Sequence, residues 1–562
     1  MSVLTALKSA HGLHDLAHIL GFRPAALSFL LYVENSAVKY STFSIPKKRG
    51  GIRSISAPYG PLNLLQRRLA DVLQSCLKEL EEHHGHNDSA SHGFMPGRSI
   101  ITNGRMHRAR RYVFNIDLEN FFGSINFGRV RGYFIQDRRF QLDPKVATLI
   151  AQIACFNGSL PQGSPCSPVI SNLIAHILDV HLVRLAAENG CVYSRYADDI
   201  SFSTNQKVFP HDVATQDPAI DHLWCVGDRL NRIIIRSGFS VRTVKTRMQY
   251  RDSRQEVTGL VVNRKTNIPK EYRYSVRAMV HRLFTTGAFI GPDGLPGTIE
   301  QLRGMLGFIY SIDKKNHEIA GSGNEDDIPR ESAYRRFLMY SGFYAAAKPV
   351  LICEGKTDYV YILHAIRQLE HKFPSLVKKV KGEVSLSLRL FKSTANSTGK
   401  ILGLLGGVTY LAKFIRAYHS NAADFKAPGL TNPVIILVDN DDGMKDIIGA
   451  IKSILKKSFP AVQPLYYYLG FNLYVVPTPL IAASSKSAIE DFFDKATRDM
   501  KVDGKSFDPA CKEDTGVHYG KTVFAHKVVR ANAETIDFSG FEPLLKILEQ
   551  IILDHSTKYP ST

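Results

Sequence analysis

Residues Tyr196-Ala197-Asp198-Asp199 set two adjacent carboxylates behind an aromatic side chain. Cys191-Val192-Tyr193-Ser194-Arg195 before them is strand-like. Ile200-Ser201-Phe202-Ser203 after them alternates apolar and polar, so a hairpin with the acids in its turn is predicted. Like charges in a tight turn repel and gain no burial. Divalent cations remove that penalty, which makes the turn a candidate metal site, against the plainer reading of an exposed acidic turn. Tyr112-Val113-Phe114-Asn115-Ile116 reads as a second strand, and it delivers Asp117 at its end. Three carboxylates so placed suit two Mg²⁺ ions, one activating a 3′-hydroxyl and the other holding a leaving pyrophosphate. Phe122, five residues past Asp117, would then sit under an incoming sugar, where a ring excludes a 2′-hydroxyl. One of Phe121 and Phe122 is expected to be ordinary core.

Between these acids runs Leu160-Pro161-Gln162-Gly163-Ser164-Pro165-Cys166-Ser167-Pro168. One glycine and three prolines predict a fixed loop that can lay backbone against a base or nucleotide, with a helix from Asn172 onward. The ordered set resembles a reverse transcriptase. Asp117 matches the first catalytic motif, Pro161-Gln162-Gly163 with Ser167-Pro168 the second, and Tyr196-Ala197-Asp198-Asp199 the third. The resemblance implies a right-hand polymerase of fingers, palm and thumb. It implies Lys48, Arg53 and Lys245 near the triphosphate, and Gln162 shaping the nucleotide pocket.

Phe43 to Arg53, Leu16 to Gly21, and Ser91-His92-Gly93-Phe94-Met95-Pro96-Gly97-Arg98-Ser99-Ile100 are similar to bacterial retron reverse transcriptases. Val257-Thr258-Gly259 resembles the triplet those enzymes carry near the thumb, where structured template RNA is recognised. The resemblance spans roughly residues 10–310. It implies that dNTPs are polymerised on a cognate non-coding RNA, primed from a 2′-hydroxyl, to give a branched RNA–DNA hybrid (msDNA). A defence polymerase without a dedicated RNA is the alternative, and the Val257-Thr258-Gly259 triplet argues against it.

Charge agrees with a nucleic-acid partner. The formal net charge is +19, enough to steer RNA or DNA in a salt-dependent way. Through residue 345 there are 43 basic and 30 acidic residues, against 28 and 22 afterwards; 31 of the 36 arginines lie in the first part. Arginine contacts phosphate in a bidentate manner and stacks on bases, so the change in base type separates two modules. No apolar run is expected to approach the roughly 18 residues of a membrane span. No signal peptide is apparent, and seven scattered cysteines without a C-x-x-C pair fit a reducing bacterial cytoplasm.

Asp313 to Glu318 and Gly321 to Asp327 read as a polar connector, so the expected organisation is 1–312, a linker over 313–346, and a second domain over 347–562. Pro349-Val350-Leu351-Ile352-Cys353 and Pro433-Val434-Ile435-Ile436-Leu437-Val438 are continuous apolar runs, the pattern of strands buried on both faces in a parallel sheet. Glu354 ends the first. Asp439-Asn440-Asp441 ends the second. Such sheets bind ligands at the carboxyl ends of their strands, where these acids would be oxygen ligands for Mg²⁺. The pair resembles the Toprim fold of topoisomerases, primases and overcoming-lysogenization-defect type nucleases, an α/β domain with a largely parallel sheet. Gly406-Gly407 and Ile489-Glu490-Asp491-Phe492-Phe493 resemble further elements of those nucleases. The resemblance implies Glu354, Asp439, Asp441 and Glu490 at a Mg²⁺ or Mn²⁺ site, with Lys521 or Lys527 against phosphorane charge. It also implies cleavage of host or phage nucleic acid in anti-phage defence, and allows a homo-oligomer on the hybrid. The rival is a metal-dependent binding module that does not cleave.

Overall fold

The computed structural model describes residues 2–34, 39–46, 51–84, 90–220, 223–319, 333–380, 383–392, 397–456, 463–481, 484–511 and 516–560. The chain divides into two compact units, Met1–Pro269 and Lys270–Thr562.

In the first unit, strands β1 (Tyr40–Pro46) and β2 (Ile52–Pro58) pair antiparallel, from Tyr40 opposite Pro58 to Pro46 opposite Ile52. Helices α1 (Gly60–His84) and α2 (Ile100–Met106) follow. Strand β3 (Tyr112–Asp117), helix α3 (Ser167–Glu188), strands β4 (Val192–Tyr196) and β5 (Asp199–Thr204), and strand β6 (Arg247–Tyr250) build the region that carries the acids. Their four-stranded sheet has the order β4-β5-β3-β6. Strands β7 (Glu256–Val257) and β8 (Leu260–Val261) form a small hairpin whose turn residues Thr258 and Gly259 both have positive φ, 47° and 79°. Glycine accepts that conformation freely; a β-branched threonine does not.

Helix α3 begins at Ser167, five residues before the expected Asn172, because Pro168 near its N-terminus pre-sets a helical φ and donates no needed hydrogen bond. By length and composition α3 could cross a membrane, with a hydropathy of 1.5 over its apolar window. That corrects the expectation that no segment comes close. The helix is apolar because it runs through the core, and 67% of the window is buried.

In the second unit, helices α4 (Lys270–Thr286), α5 (Ile299–Ile319) and α6 (Ala333–Met339) precede strand β9 (Val350–Cys353). Helix α7 (Asp358–Gln368), strand β10 (Arg389–Phe391), helix α8 (Val408–Ala422), strand β11 (Val434–Val438), helix α9 (Met444–Leu455), and strands β12 (Tyr467–Tyr468) and β13 (Leu473–Pro477) follow. The five-stranded sheet runs β10-β9-β11-β13-β12. Its pairings are parallel except for β12 against β13. Side chains alternate between two cores. Val350, Ile352, Val434 and Ile436 enter one, and Leu351, Cys353, Ile435 and Leu437 enter the other. Burial on both faces is why these strands read as unbroken apolar runs.

The division at 269/270 differs from the expected one after residue 312. Val276, Val280, Leu283, Leu302 and Leu306 of α4 and α5 share a core with Phe337, Leu338 and Val350, so these helices pack with the residues that follow them. Polarity marks residues 313–318, but polarity alone does not end a core.

Candidate active sites

The register of β3 on β5 sets Asp117 directly opposite Asp199, and β4 on β5 pairs Tyr196 with Asp199. Ala197 and Asp198 are therefore a two-residue turn. Ala197 has φ 55°, a left-handed conformation that costs an L-residue about 1 kcal/mol. Three contacts hold it. The Arg195 Nη1 donates to the Ala197 carbonyl at 3.1 Å. The Asp198 carbonyl accepts the Leu118 amide at 2.9 Å. Gly93 packs so tightly beneath that a Cβ would lie 2.5 Å from the Ala197 nitrogen.

Arg195 itself is wholly buried. Its Nε and Nη2 grip both oxygens of Asp179 on α3 at 2.8 and 2.6 Å, and Nη1 reaches Asn172 Oδ1 at 3.1 Å. The Tyr193 hydroxyl donates to Asp179 at 2.6 Å, and Asn172 Nδ2 donates to the Gly93 carbonyl at 2.7 Å. Behind the turn, the buried His107 bridges Ser194 and Ser203 at 2.7 Å each, and burial pushes its pKa down to about 3. It is a neutral strut between β4 and β5.

Partial desolvation and neighbouring charge raise both turn acids. Asp198 is shifted up chiefly by burial and by Asp117, with Lys245 and Arg53 opposing. Asp199 is pushed up to about 6 by burial, Asp198 and Asp117. Lys245 ion-pairs with Asp117. Phe121 is buried and stacks on Phe239 at 5.6 Å, so it is the core residue of the pair. Phe122 is half-buried, 6.3 Å from the exposed ring of Phe94. Phe94 has φ 60°, unusual for an aromatic residue. The Gln162 carbonyl accepts the Ser56 amide of β2 at 2.8 Å, and Gly163, at φ 115°, presses on Ile55 and Ser56. Ser164 donates to the buried Gln66 of α1 at 2.7 Å. Arg53 is exposed on β2, and Lys48 lies outside the described residues.

The second unit gathers five acids. Glu354 and Asp439 leave adjacent parallel strands, and the Asp439 amide donates to Glu354 Oε2 at 3.2 Å. Asp441 accepts the Gly443 amide at 2.8 Å. Asp358, absent from the sequence expectations, accepts the Gly355 amide at 2.7 Å in the first turn of α7. A bridge between Asn440 and Ser487 brings in the next segment, whose Ile489 amide donates to Asp439 at 3.0 Å. Glu490 there is buried, pairs with Lys521 at 3.0 Å through one oxygen, and leaves Oε1 without a partner among the described residues. Lys527 instead pairs with the exposed Asp503, which favours Lys521 of the two lysines. Gly406 and Gly407 have φ 94° and 91°, and the Gly407 amide donates to the Glu354 carbonyl at 3.2 Å.

Burial and mutual repulsion raise this group: Glu354 to about 7, Asp358 to about 6 and Asp439 to about 8. Among the described residues, no three His, Cys, Asp or Glu side chains stand in a metal-holding arrangement. In both sites a lysine ammonium already engages one carboxylate. The donor chemistry nonetheless suits a hard divalent cation: carboxylate oxygens only, raised pKa values, and an orphaned buried oxygen on Glu490.

Residues 45–262 match the family of reverse transcriptases (RNA-dependent DNA polymerases). The retron Mx162 reverse transcriptase of Myxococcus xanthus is 33% identical over 337 residues, covering 55% of this chain and 65% of that protein. The retron Ec86 reverse transcriptase of Escherichia coli is 29% identical over 308 residues, covering 55% of this chain and 86% of that one. The chain thus spans just under two thirds of the Mx162 protein. Apo telomerase from Candida tropicalis superposes with a TM-score of 0.30 at 12% identity, over 54% of this chain and 61% of that chain. The first unit carries a reverse transcriptase domain. Over these residues the chain is similar to retron reverse transcriptases.

The raised acids set a pH dependence for the second unit. Folded Glu354 and Asp439 hold protons up to about 7 and about 8, above the ordinary 4.5 and 3.8. Between these ordinary and folded values the folded state binds more protons than the unfolded chain, so stability falls as pH rises. Amide exchange of Val434–Val438 in the full chain, in EDTA and corrected for intrinsic rates, should show weaker protection at pH 8 than at pH 5. Asp439→Asn should flatten the difference. Equal protection at both pH values would show that burial does not keep these acids protonated in the fold.

Proposed function

We propose that the first unit is an RNA-directed DNA polymerase that copies a cognate non-coding RNA into msDNA from dNTPs. The observation carrying this is the register that puts Asp117 opposite Asp199 with Asp198 beside them. Asp117, Asp198 and Asp199 would hold Mg²⁺. When bound, that metal supplies activation of the primer hydroxyl and neutralisation of the leaving pyrophosphate. Arg53, with Lys48, would pair with triphosphate oxygens. Lys245, which ion-pairs with Asp117, would turn to the same charge when metal takes its place. Gln162, whose carbonyl accepts the Ser56 amide of β2, would shape the nucleotide pocket. Phe122 presents a half-buried ring where a 2′-hydroxyl would fall.

Asp198→Ala should abolish the discrete short DNA recovered, after RNase and debranching, from cells carrying the gene with its native upstream sequence. A persisting band would remove these acids from the reaction. Phe122→Val should raise ribonucleotide incorporation, by about tenfold or more if the ring costs a misplaced hydroxyl 1.4 kcal/mol or more. Unchanged discrimination on single-nucleotide extension would assign the ring to packing alone.

We further propose that the second unit is a Toprim-type, metal-dependent nuclease effector in anti-phage defence. Its support is the cluster of Glu354, Asp358, Asp439, Asp441 and Glu490 at the carboxyl ends of parallel strands. These acids would hold Mg²⁺ or Mn²⁺, and Lys521 would oppose charge on the cleaved phosphodiester. The RNA–DNA hybrid would restrain the effector until infection disturbs it. Glu354→Ala should spare DNA synthesis and remove toxicity in cells. Toxicity that survived the substitution would place the effector elsewhere.

A further inference from the structure

Helices α4, α5 and α6 of the second unit line a cavity of about 550 Å³, a size that accommodates a small organic ligand. None of its lining residues belongs to either group of acids. Its floor is apolar, from Val280, Phe284, Leu306 and Ile309. Two tyrosines, Tyr310 and Tyr334, meet edge to face with centroids 6.0 Å apart.

The charges around this floor are unbalanced. Arg273, Arg277, Lys314 and Arg336 line the cavity with a single acid, Asp313. Arg273 already holds both oxygens of Asp313, at 2.9 and 2.6 Å. Arg336 donates to Asp424 through Nη2 at 3.0 Å and covers the Phe284 ring at 5.5 Å. Its Nε–H is buried and has no partner among the described residues. Arg277 and Lys314 likewise make no ion pair among the described residues. A buried guanidinium N–H without an acceptor is costly, and an anion supplies one.

Cations alone would take any anion, and an apolar floor alone any greasy ligand. Both together, beside two tyrosine rings, suit a planar ring carrying phosphate. We propose that this cavity binds a nucleoside phosphate, its base against Tyr310 and Tyr334 and its phosphate at Arg277, Lys314 and the Arg336 Nε–H. Stacking on aromatic side chains and charge-assisted hydrogen bonds are the two forces such a ligand would use. The ligand is either a free mononucleotide or the 5′-phosphorylated end of a strand.

The test is photo-crosslinking of full-length protein with 8-azido-ATP in EDTA, which removes metal-dependent nucleotide binding at the two acid groups. Label should map to peptides holding Tyr310 or Tyr334. The double variant Arg277→Glu with Lys314→Glu should lose at least tenfold of it, while Arg277→Lys with Lys314→Arg keeps it. Competition by a 5′-phosphorylated oligonucleotide and not by its 5′-hydroxyl form assigns a strand end. Competition by ATP alone assigns a mononucleotide. Label absent from these peptides, or undiminished by charge reversal in a folded variant, overturns the proposal. Should the reversed variant misfold, the wild-type peptide map alone decides.

Discussion

One buried ion pair sets the geometry on which the first unit's chemistry depends. Arg195 and Asp179 are both buried, so each charge would be strongly unfavourable alone. Joined at two points, with Tyr193 and Asn172 completing the remaining bonds, they become a rigid brace between α3 and β4. The same guanidinium holds the Ala197 carbonyl, so the strained turn that displays Asp198 is fastened from within the core. Gly93 closes the other side, where no larger residue fits. Hydrogen bonds of a charged group in a dry interior are strong and directional, which is what a turn bearing two repelling acids requires.

The second unit solves a related problem in another way. There the acids lie at the ends of parallel strands whose side chains are buried on both faces. The sheet is apolar and stiff, and its loops carry the charge. Glu354 and Asp439 come from neighbouring strands and share a backbone contact, so they cannot move apart without breaking the ladder between β9 and β11. Burial is the chief cause of their raised pKa values, with the neighbouring acids adding to it. Lys521, on Glu490, is the one basic side chain bonded to the buried acids among the described residues.

Much of this was legible in the chain itself. The alternation around Asp198, the strand before Asp117 and the two unbroken apolar runs are local patterns, and local patterns survive into structure. The placement of Glu354, Asp439 and Asp441 at strand ends was readable because they follow those runs directly. Asp179 was not. It is a lone acid in an apolar helix, and its partner is 16 residues away on another element. Asp358 was hidden by its ordinary place in the first turn of a helix, where acids are common for other reasons. The domain boundary misled because polarity marks solvent, whereas a boundary is set by which apolar faces meet. Lys245 resembled a triphosphate contact, and nothing in sequence spacing discloses its ion pair with Asp117.

The brace can be tested by replacing it with an apolar pair. Arg195→Met and Asp179→Leu together remove both charges while roughly keeping volume, whereas either change alone strands a buried charge at a cost of about 3–5 kcal/mol. Thermal unfolding and primer extension on an RNA template would be measured for all three variants. If the brace sets the turn, the single variants unfold early and the double variant folds yet extends at least tenfold more slowly, because Ala197 has lost its donor. A folded double variant with wild-type extension would contradict it.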